Sequence, residues 1–196
     1  MPPRIDAAER RRHITEAALR LVMREGLAAA TFRRVASESG LNVGSVRHYF
    51  TDHESLVVAV ATEAGDRMGR RLMKHRPPES GDGATLRRHL LALLAELVPL
   101  DDERHSEAVI LMELITASRT TDAFRPVTTQ MAADLHTVLL GALEDLGVPE
   151  PSLEAQRLAS LLSGLSLDAV TAHGPRTAST IRRILRLHVN SLVTSR

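Results

Sequence analysis

The sequence has no cysteine, no tryptophan, one tyrosine (Tyr49), three phenylalanines and one lysine (Lys74). Without cysteine, disulfides and thiolate metal centres are excluded and a reducing compartment is allowed. With aromatics at 2%, the core must be built from Leu, Ala, Val, Ile and Met, the mix that helix bundles use. No run approaches the ~18 consecutive apolar residues of a membrane span. The N-terminal stretch MPPRIDAAERRRHITEAALRLV starts basic but continues into neither an apolar h-region nor a cleavage site, so it does not read as a signal peptide. A cytoplasmic protein is expected.

What is present is 43% hydrophobic and 25% charged over 196 residues, enough for one domain of ordinary size or two small ones. The net charge of +1 is unevenly spread: residues 1–50 hold nine arginines and five acids, a balance of +4, against −3 on the remainder. A basic front on an acidic body suggests a polyanion-binding head. Nine histidines, at 13, 48, 53, 75, 89, 105, 136, 173 and 188, show no metal-ligand spacing, so neither a metal nor a cofactor is expected. GLNVGS (40–45) has no preceding strand and no lysine for a phosphate-binding loop, and SGLS (163–166) is not a nucleophile elbow; an enzyme is not expected.

The apolar spacing of three and four residues predicts an all-α protein of about nine helices. The first spans Ala7–Glu25, with Asp6 and Glu9 as a capping box and Gly26 as its stop. Thr31 caps a short second helix that ends at Gly40. Asn42 caps a third, containing Val46, Tyr49 and Phe50, and Asp52 caps a fourth running to about Arg76. Five more are expected near 84–98, 102–119, 122–147, 152–173 and 177–195. Within 32–51, Ala36 is small at a helix crossing, Gly40 sits at the turn, and Val35, Leu41, Val46 and Tyr49 are apolar where two helices face each other. Those residue types at those offsets are what a helix-turn-helix requires.

The stretch AALRLVMREGLAAATFRRVASESGLNVGSVRHYFTDHESLVVAV resembles the N-terminal domain of the TetR/AcrR family of transcriptional regulators. It shares A-x-x-L-x-x-x-x-G, T-x-x-x-V-A, G-L-x-x-G-x-V and Y-F. LASLLSGLSLDAVTAHGP (158–175) and the basic helix after it are similar to the choline-repressor-like subgroup. The resemblance implies a three-helix DNA-binding domain at 1–52 and a helical ligand-binding and dimerisation domain at 53–196. It also implies a homodimer on palindromic double-stranded operator DNA and a small-molecule effector that releases it.

On that frame Val43, Gly44 and Ser45 begin the recognition helix and face base edges, beside its cap Asn42. Arg47 and His48 are placed for a guanine edge or phosphates. Tyr49 packs its ring inward and keeps a polar tip, whereas Phe50 is read as core. Thr31 offers a phosphate contact at the start of helix 2, with Arg33 and Arg34 on the same helix. Many relatives carry tyrosine where Arg47 stands and a phosphate-contacting lysine where His53 stands, so a guanidinium replaces a hydroxyl and a titratable ring replaces a fixed charge.

In the C-terminal part, Leu90, Leu94, Leu97, Leu111, Met112, Ile115, Met131, Leu135, Leu139, Leu162 and Leu165 are candidates to line an effector pocket, with His136, Glu113, Gln130 and Asp168 as its polar groups. Leu158, Leu162, Leu165, Ile181, Ile184, Leu185, His188 and Leu192 form apolar stripes on the last two helices, a candidate dimer face of four-helix-bundle type. The alternative from another class is a helical protein-interaction module without a DNA role, which would not need the basic helix-turn-helix.

Overall fold

The computed structural model describes residues 6–78, 81–174 and 176–192. Those residues form nine α-helices and no strand: α1 Ala7–Glu25, α2 Phe32–Ser39, α3 Val43–Tyr49, α4 His53–Leu72, α5 Gly83–Glu96, α6 Asp102–Ala117, α7 Arg125–Asp145, α8 Pro151–Val170 and α9 Ala178–Ser191. No helix among them is long and apolar enough to cross a membrane.

The expected caps are in place. Asp6, Thr31, Asn42 and Asp52 accept hydrogen bonds from the backbone N–H groups of Ala8, Arg34, Ser45 and Ser55, satisfying donors that a helix leaves orphaned at its start. Gly40 stands at φ 69° in the left-handed region. There Leu41 N–H reaches back to the Ala36 carbonyl, the bond pattern of a Schellman stop.

Some boundaries differ from the expectation. The segment from 122 opens as a 3-10 turn, Asp122–Phe124, and α7 begins at Arg125. Pro126 explains the break: its ring has no N–H to donate and belongs in a first helical turn. Helix α4 stops at Leu72, short of Arg76, and α9 at Ser191. Phe50 is the C-cap of α3 rather than part of it. Residues 193–196, at the end of the expected last helix, lie outside the described residues.

The chain folds as two compact units. Among the described residues the first comprises 6–66 and 109–128, the second 67–78, 81–108, 129–174 and 176–192. Unit 1 is built on Ile14, Ala18, Val22, Val35, Ala36, Val46, Phe50, Leu56, Val60 and Ile110, all buried. In unit 2 a second cluster gathers residues of α5, α7, α8 and α9, among them Leu90, Leu94, Leu139, Leu143, Leu158, Leu162, Leu165, Ile181 and Leu185.

Unit 2 also holds a charged network. Arg71, at the end of α4 and 17% exposed, donates Nη1–H to Glu107 Oε1 at 2.9 Å and Nε–H to Glu96 Oε2 at 3.2 Å, and pairs with Glu103. Glu107 is 4% exposed. Arg104 bonds Glu96 at 2.8 Å as well as Asp101, and His75 Nε2 lies 3.1 Å from Glu96 Oε1. The hydrogen bond to Glu107 and its charge raise the Arg71 pKa further above its ordinary value, so the guanidinium is a permanent charge. Replacing Arg71 with Met leaves Glu107 buried without its main partner. That should cost about 3–5 kcal/mol, read as a lower urea midpoint; an unchanged midpoint would mean that Glu107 finds compensation elsewhere.

Candidate nucleic-acid interface

Unit 1 places α2 and α3 as a helix-turn-helix. Val46 and Phe50 are 0% and 1% exposed and fix the inner face of α3, while Gly44, Arg47 and His48 are exposed on the outer one. An open depression of about 500 Å³ runs along this face, lined by Arg10, Leu41, Asn42, Gly44, Ser45, His48 and Tyr49. Five of these seven were expected at the interface. Arg10 and Leu41 were not.

The side chains have defined donors and acceptors. Asn42 Oδ1 accepts from Ser45 N–H at 2.7 Å and from the Ser45 hydroxyl at 3.1 Å, leaving the Asn42 amide NH₂ as the group with donors to offer. Thr31 Oγ1 is the α2 cap acceptor, so its hydroxyl hydrogen remains to donate. Val43 and Tyr49 pack partly against the unit 1 core, and the Tyr49 ring meets His48 edge-on at 5.0 Å. His53 is exposed at the first position of α4.

The arginines divide into two sets. Arg20 and Arg24 pair with Glu38 at 3.0 and 2.8 Å, and Arg34 with Glu25 at 2.6 Å, tying α1 to α2. Among the described residues Arg10, Arg12, Arg33 and Arg47 form no ion pair. Arg34, expected to contact DNA, therefore has its charge answered within the protein. Arg11 is engaged as well: Nη1–H donates to the Tyr49 carbonyl at 2.7 Å and the guanidinium carbon lies 4.3 Å from the Phe50 ring centroid. The run Arg10-Arg11-Arg12 was visible in the sequence as charge. Nothing local in it signals that Arg10 lines the depression beside α3 and that Arg11 reaches the end of α3.

The other candidate sites change more. Leu158, Leu162, Leu165, Ile181 and Leu185, expected to face a partner, are each at most 4% exposed in the single chain and belong to the unit 2 core. A side chain without accessible surface has nothing left to offer a second copy. Ile184 and Leu192 pack against the same core, and His188 Nε2 lies 2.8 Å from the Glu154 carboxylate. The large apolar side chains exposed on α8 and α9 are instead Leu153, Leu167 and Leu187, at 53%, 45% and 62%.

The expected pocket residues are split. Leu90, Leu94, Leu139, Leu162 and Leu165, with Leu97 and Leu135 against them, pack together in unit 2. Leu111, Met112 and Ile115 belong to unit 1, and Ile115 is 45% exposed. Met131 and His136 are half-buried on α7. The polar candidates are partnered too. Asp168 takes Arg176 Nε–H at 2.7 Å, Gln130 bonds Asp134 at 2.8 Å, and Glu113 accepts Leu27 N–H at 2.6 Å.

The Glu38 carboxyl is held down to about 2, from an ordinary 4.5, by hydrogen bonds from Arg24 and Arg20. A depressed carboxylate contributes stability that is complete above its unfolded value and lost as pH falls through the folded one. The Glu38 contribution should thus persist down to about pH 4.5 and vanish toward pH 2, weakening in high salt because the pair is partly exposed. An NMR titration of Glu38 with an ordinary midpoint would remove this tie.

The family profile described as "Bacterial regulatory proteins, tetR family" matches residues 14–60, and that described as "BetI-type transcriptional repressor, C-terminal" matches 86–194. The HTH-type transcriptional regulator PksA of Bacillus subtilis is 26% identical over 98% of this chain and 94% of its own. A transcriptional regulator from Rhodococcus sp. Rha1 superposes with a TM-score of 0.84 at 23% identity, covering 93% of this chain and 95% of its own. A regulator from Saccharomonospora viridis, solved in complex with choline, does so at 0.79 and 20%, covering 93% and 96%.

Proposed function

The chain belongs to the tetR family of DNA-binding transcriptional regulators, and we propose that it is a repressor that grips a palindromic operator as a homodimer through α3. The observation that carries this is the exposed outer face of α3, on which Arg47 has no ion pair among the described residues while Val46 and Phe50 lock the opposite face into the core. Asn42, Gly44, Ser45 and His48 share the depression with Arg10, and Val43 is the first residue of α3. Thr31, Arg33 and His53, at the starts of α2 and α4, supply backbone-positioning contacts. No chemical step is needed for this activity.

The supporting test is selection of bound sequences from random duplex DNA. Changing Arg47 to Ala should weaken binding to the selected operator by about 1–3 kcal/mol if it reads a guanine. If it meets only phosphate, all duplexes should lose similarly, with a shallower salt slope. Unchanged binding to every duplex would remove Arg47 from the interface.

For the dimer, the exposed flank of α8 and α9 replaces the buried stripe. Leu153 and Leu167 lie on one side of α8, fourteen residues apart and so nearly in helical phase, and Leu187 is exposed on α9. Leu167→Asp should shift the sedimenting species from dimer to monomer, since a charge at an interface centre is costly. A wild-type protein that sediments as a monomer at micromolar concentration would sink the palindrome along with the dimer.

The effector reading is an apolar or amphipathic molecule held by aliphatic side chains. The choline complex of the S. viridis protein shows that a regulator of this fold takes a small ligand. The one tyrosine and three phenylalanines of this chain, Tyr49, Phe32, Phe50 and Phe124, all fall in unit 1. Unit 2 thus has no ring of that kind from which to build a cage for a quaternary ammonium ion. A releasing effector must bind the non-operator state better, and by reciprocity operator DNA must weaken effector binding by the same factor. Titration of a compound into free protein and into the operator complex reads that factor; equal affinities would show that the compound is no inducer.

A further inference from the structure

We propose that Arg11 is a positioning residue for operator binding: it sets the pose of the recognition helix from α1 and does not itself contact DNA. This rests on the operator-binding role of α3. An exposed arginine in a run of three on a basic head invites the opposite reading, a phosphate contact. The geometry points elsewhere. One guanidinium N–H is donated to the Tyr49 carbonyl at 2.7 Å, and the guanidinium carbon lies 4.3 Å from the Phe50 ring centroid. The two interactions engage different features of one planar group, a donor at its edge and the cation itself over the ring.

The partner atoms are at the place where α3 needs help. With seven residues, α3 is too short to persist alone, and its last carbonyls have no intrahelical donor beyond the Phe50 N–H that bonds Val46. The Tyr49 carbonyl is one of those orphans. A cation there also meets the negative end of the helix dipole. The N-terminal end is held by the Asn42 cap and the middle by Val46. Arg11 is the polar tie seen at the C-terminal end, and it comes from α1, thirty-eight residues away in sequence.

The lever is short but sufficient. A seven-residue helix is about 10 Å long, so a tilt of about 10° allowed by a released C-terminal end displaces the side chains near that end by about 2 Å. Hydrogen bonds to base edges do not tolerate that displacement. Loss of Arg11 should therefore blur base readout while leaving the number of phosphates the protein neutralises as it was.

The experiment uses the full chain, an operator selected with the wild-type protein, an unrelated duplex of equal length, and a series of salt concentrations. Arg11→Ala and Arg11→Lys should each lose about tenfold on the operator, change by less than about twofold on the unrelated duplex, and keep the wild-type slope of log K against log salt. Lysine keeps the charge but cannot reproduce the planar face and fork, so it should not rescue. A phosphate-binding role predicts the reverse: Lys near wild type, and Ala with a slope shallower by about 0.9 for each phosphate that is no longer neutralised. That outcome overturns the proposal, as does wild-type affinity in both variants. Equal losses on both duplexes would signal a damaged head and would overturn it as well. A wild-type protein that selects no operator would instead sink the operator-binding role itself.

Should Arg11→Ala fail to fold, Phe50→Leu removes the ring beneath the guanidinium while keeping an apolar side chain in the core. Its operator loss should be non-additive with that of Arg11→Lys, because both break the same interaction. Strict additivity would overturn the proposal.

Discussion

The proposed DNA-reading surface depends on two helices that cannot hold themselves. Helices α2 and α3 have eight and seven residues, well below the length at which a helix is stable in water. Everything that orients them is tertiary. Val35, Ala36, Val46 and Phe50 are buried against α1 and α4. Gly40 allows the turn between them. Helix α1 adds polar ties along its length: His13 Nε2 lies 2.9 Å from the Ser39 carbonyl at the end of α2, Arg20 and Arg24 hold Glu38, and Arg11 holds the end of α3. The burial supplies the free energy, and the hydrogen bonds select one arrangement among those that bury the same residues.

This division of labour changes what the basic head means. A balance of +4 over residues 1–50 reads as a field for a polyanion, but Arg20, Arg24 and Arg34 are paired with Glu38 and Glu25. Because Arg20 and Arg24 share one carboxylate, these three arginines and two glutamates together leave a single net positive charge. The rest of the attraction comes from Arg10, Arg11, Arg12, Arg33 and Arg47, none of which faces a carboxylate among the described residues, together with whatever charge the histidines carry at the working pH. Count and placement are separate quantities, and only the second decides where a duplex docks.

The sequence was most legible where physics is local. Caps, stops and the inner face of the helix-turn-helix follow from residue type at fixed offsets, and Asp6, Thr31, Asn42, Asp52 and Gly40 perform as their chemistry predicts. It was least legible where a face must choose its partner. The stripe Leu158, Leu162, Leu165 announces burial, but the same period serves a dimer seam or an internal core; here the core takes it. Polar residues were misjudged for a related reason. Glu113 looked like a group to orient a ligand, yet its carboxylate accepts Leu27 N–H from eighty-six residues away, beside Gly26 at φ 84°. No local pattern encodes that pairing. Arg11 escaped notice because its partners, a carbonyl and a ring face, leave no signature in composition.

Helix α6 brings these threads to one place. It is continuous from Asp102 to Ala117, yet its residues fall in unit 2 up to Ala108 and in unit 1 from Val109. Two of its carboxylates, six residues apart, each have a committed partner: Glu107 holds Arg71 in unit 2, and Glu113 holds the Leu27 amide in unit 1. Six residues of α-helix span about 9 Å. The Leu27 amide opens the 3-10 turn that follows α1, and α1 is the helix whose Arg11 reaches the end of α3. Under the proposed repressor mechanism, an effector acts only through a difference in affinity between two states. A state in which α6 has moved must either release the Leu27 amide, leaving a carboxylate and an N–H to find other partners, or carry the end of α1 with it. Within unit 1 the Glu113–Leu27 bond, the turn after α1 and the Arg11 tie to α3 follow one another along α1, so the pose of the recognition helix rests on the contacts that hold the head together.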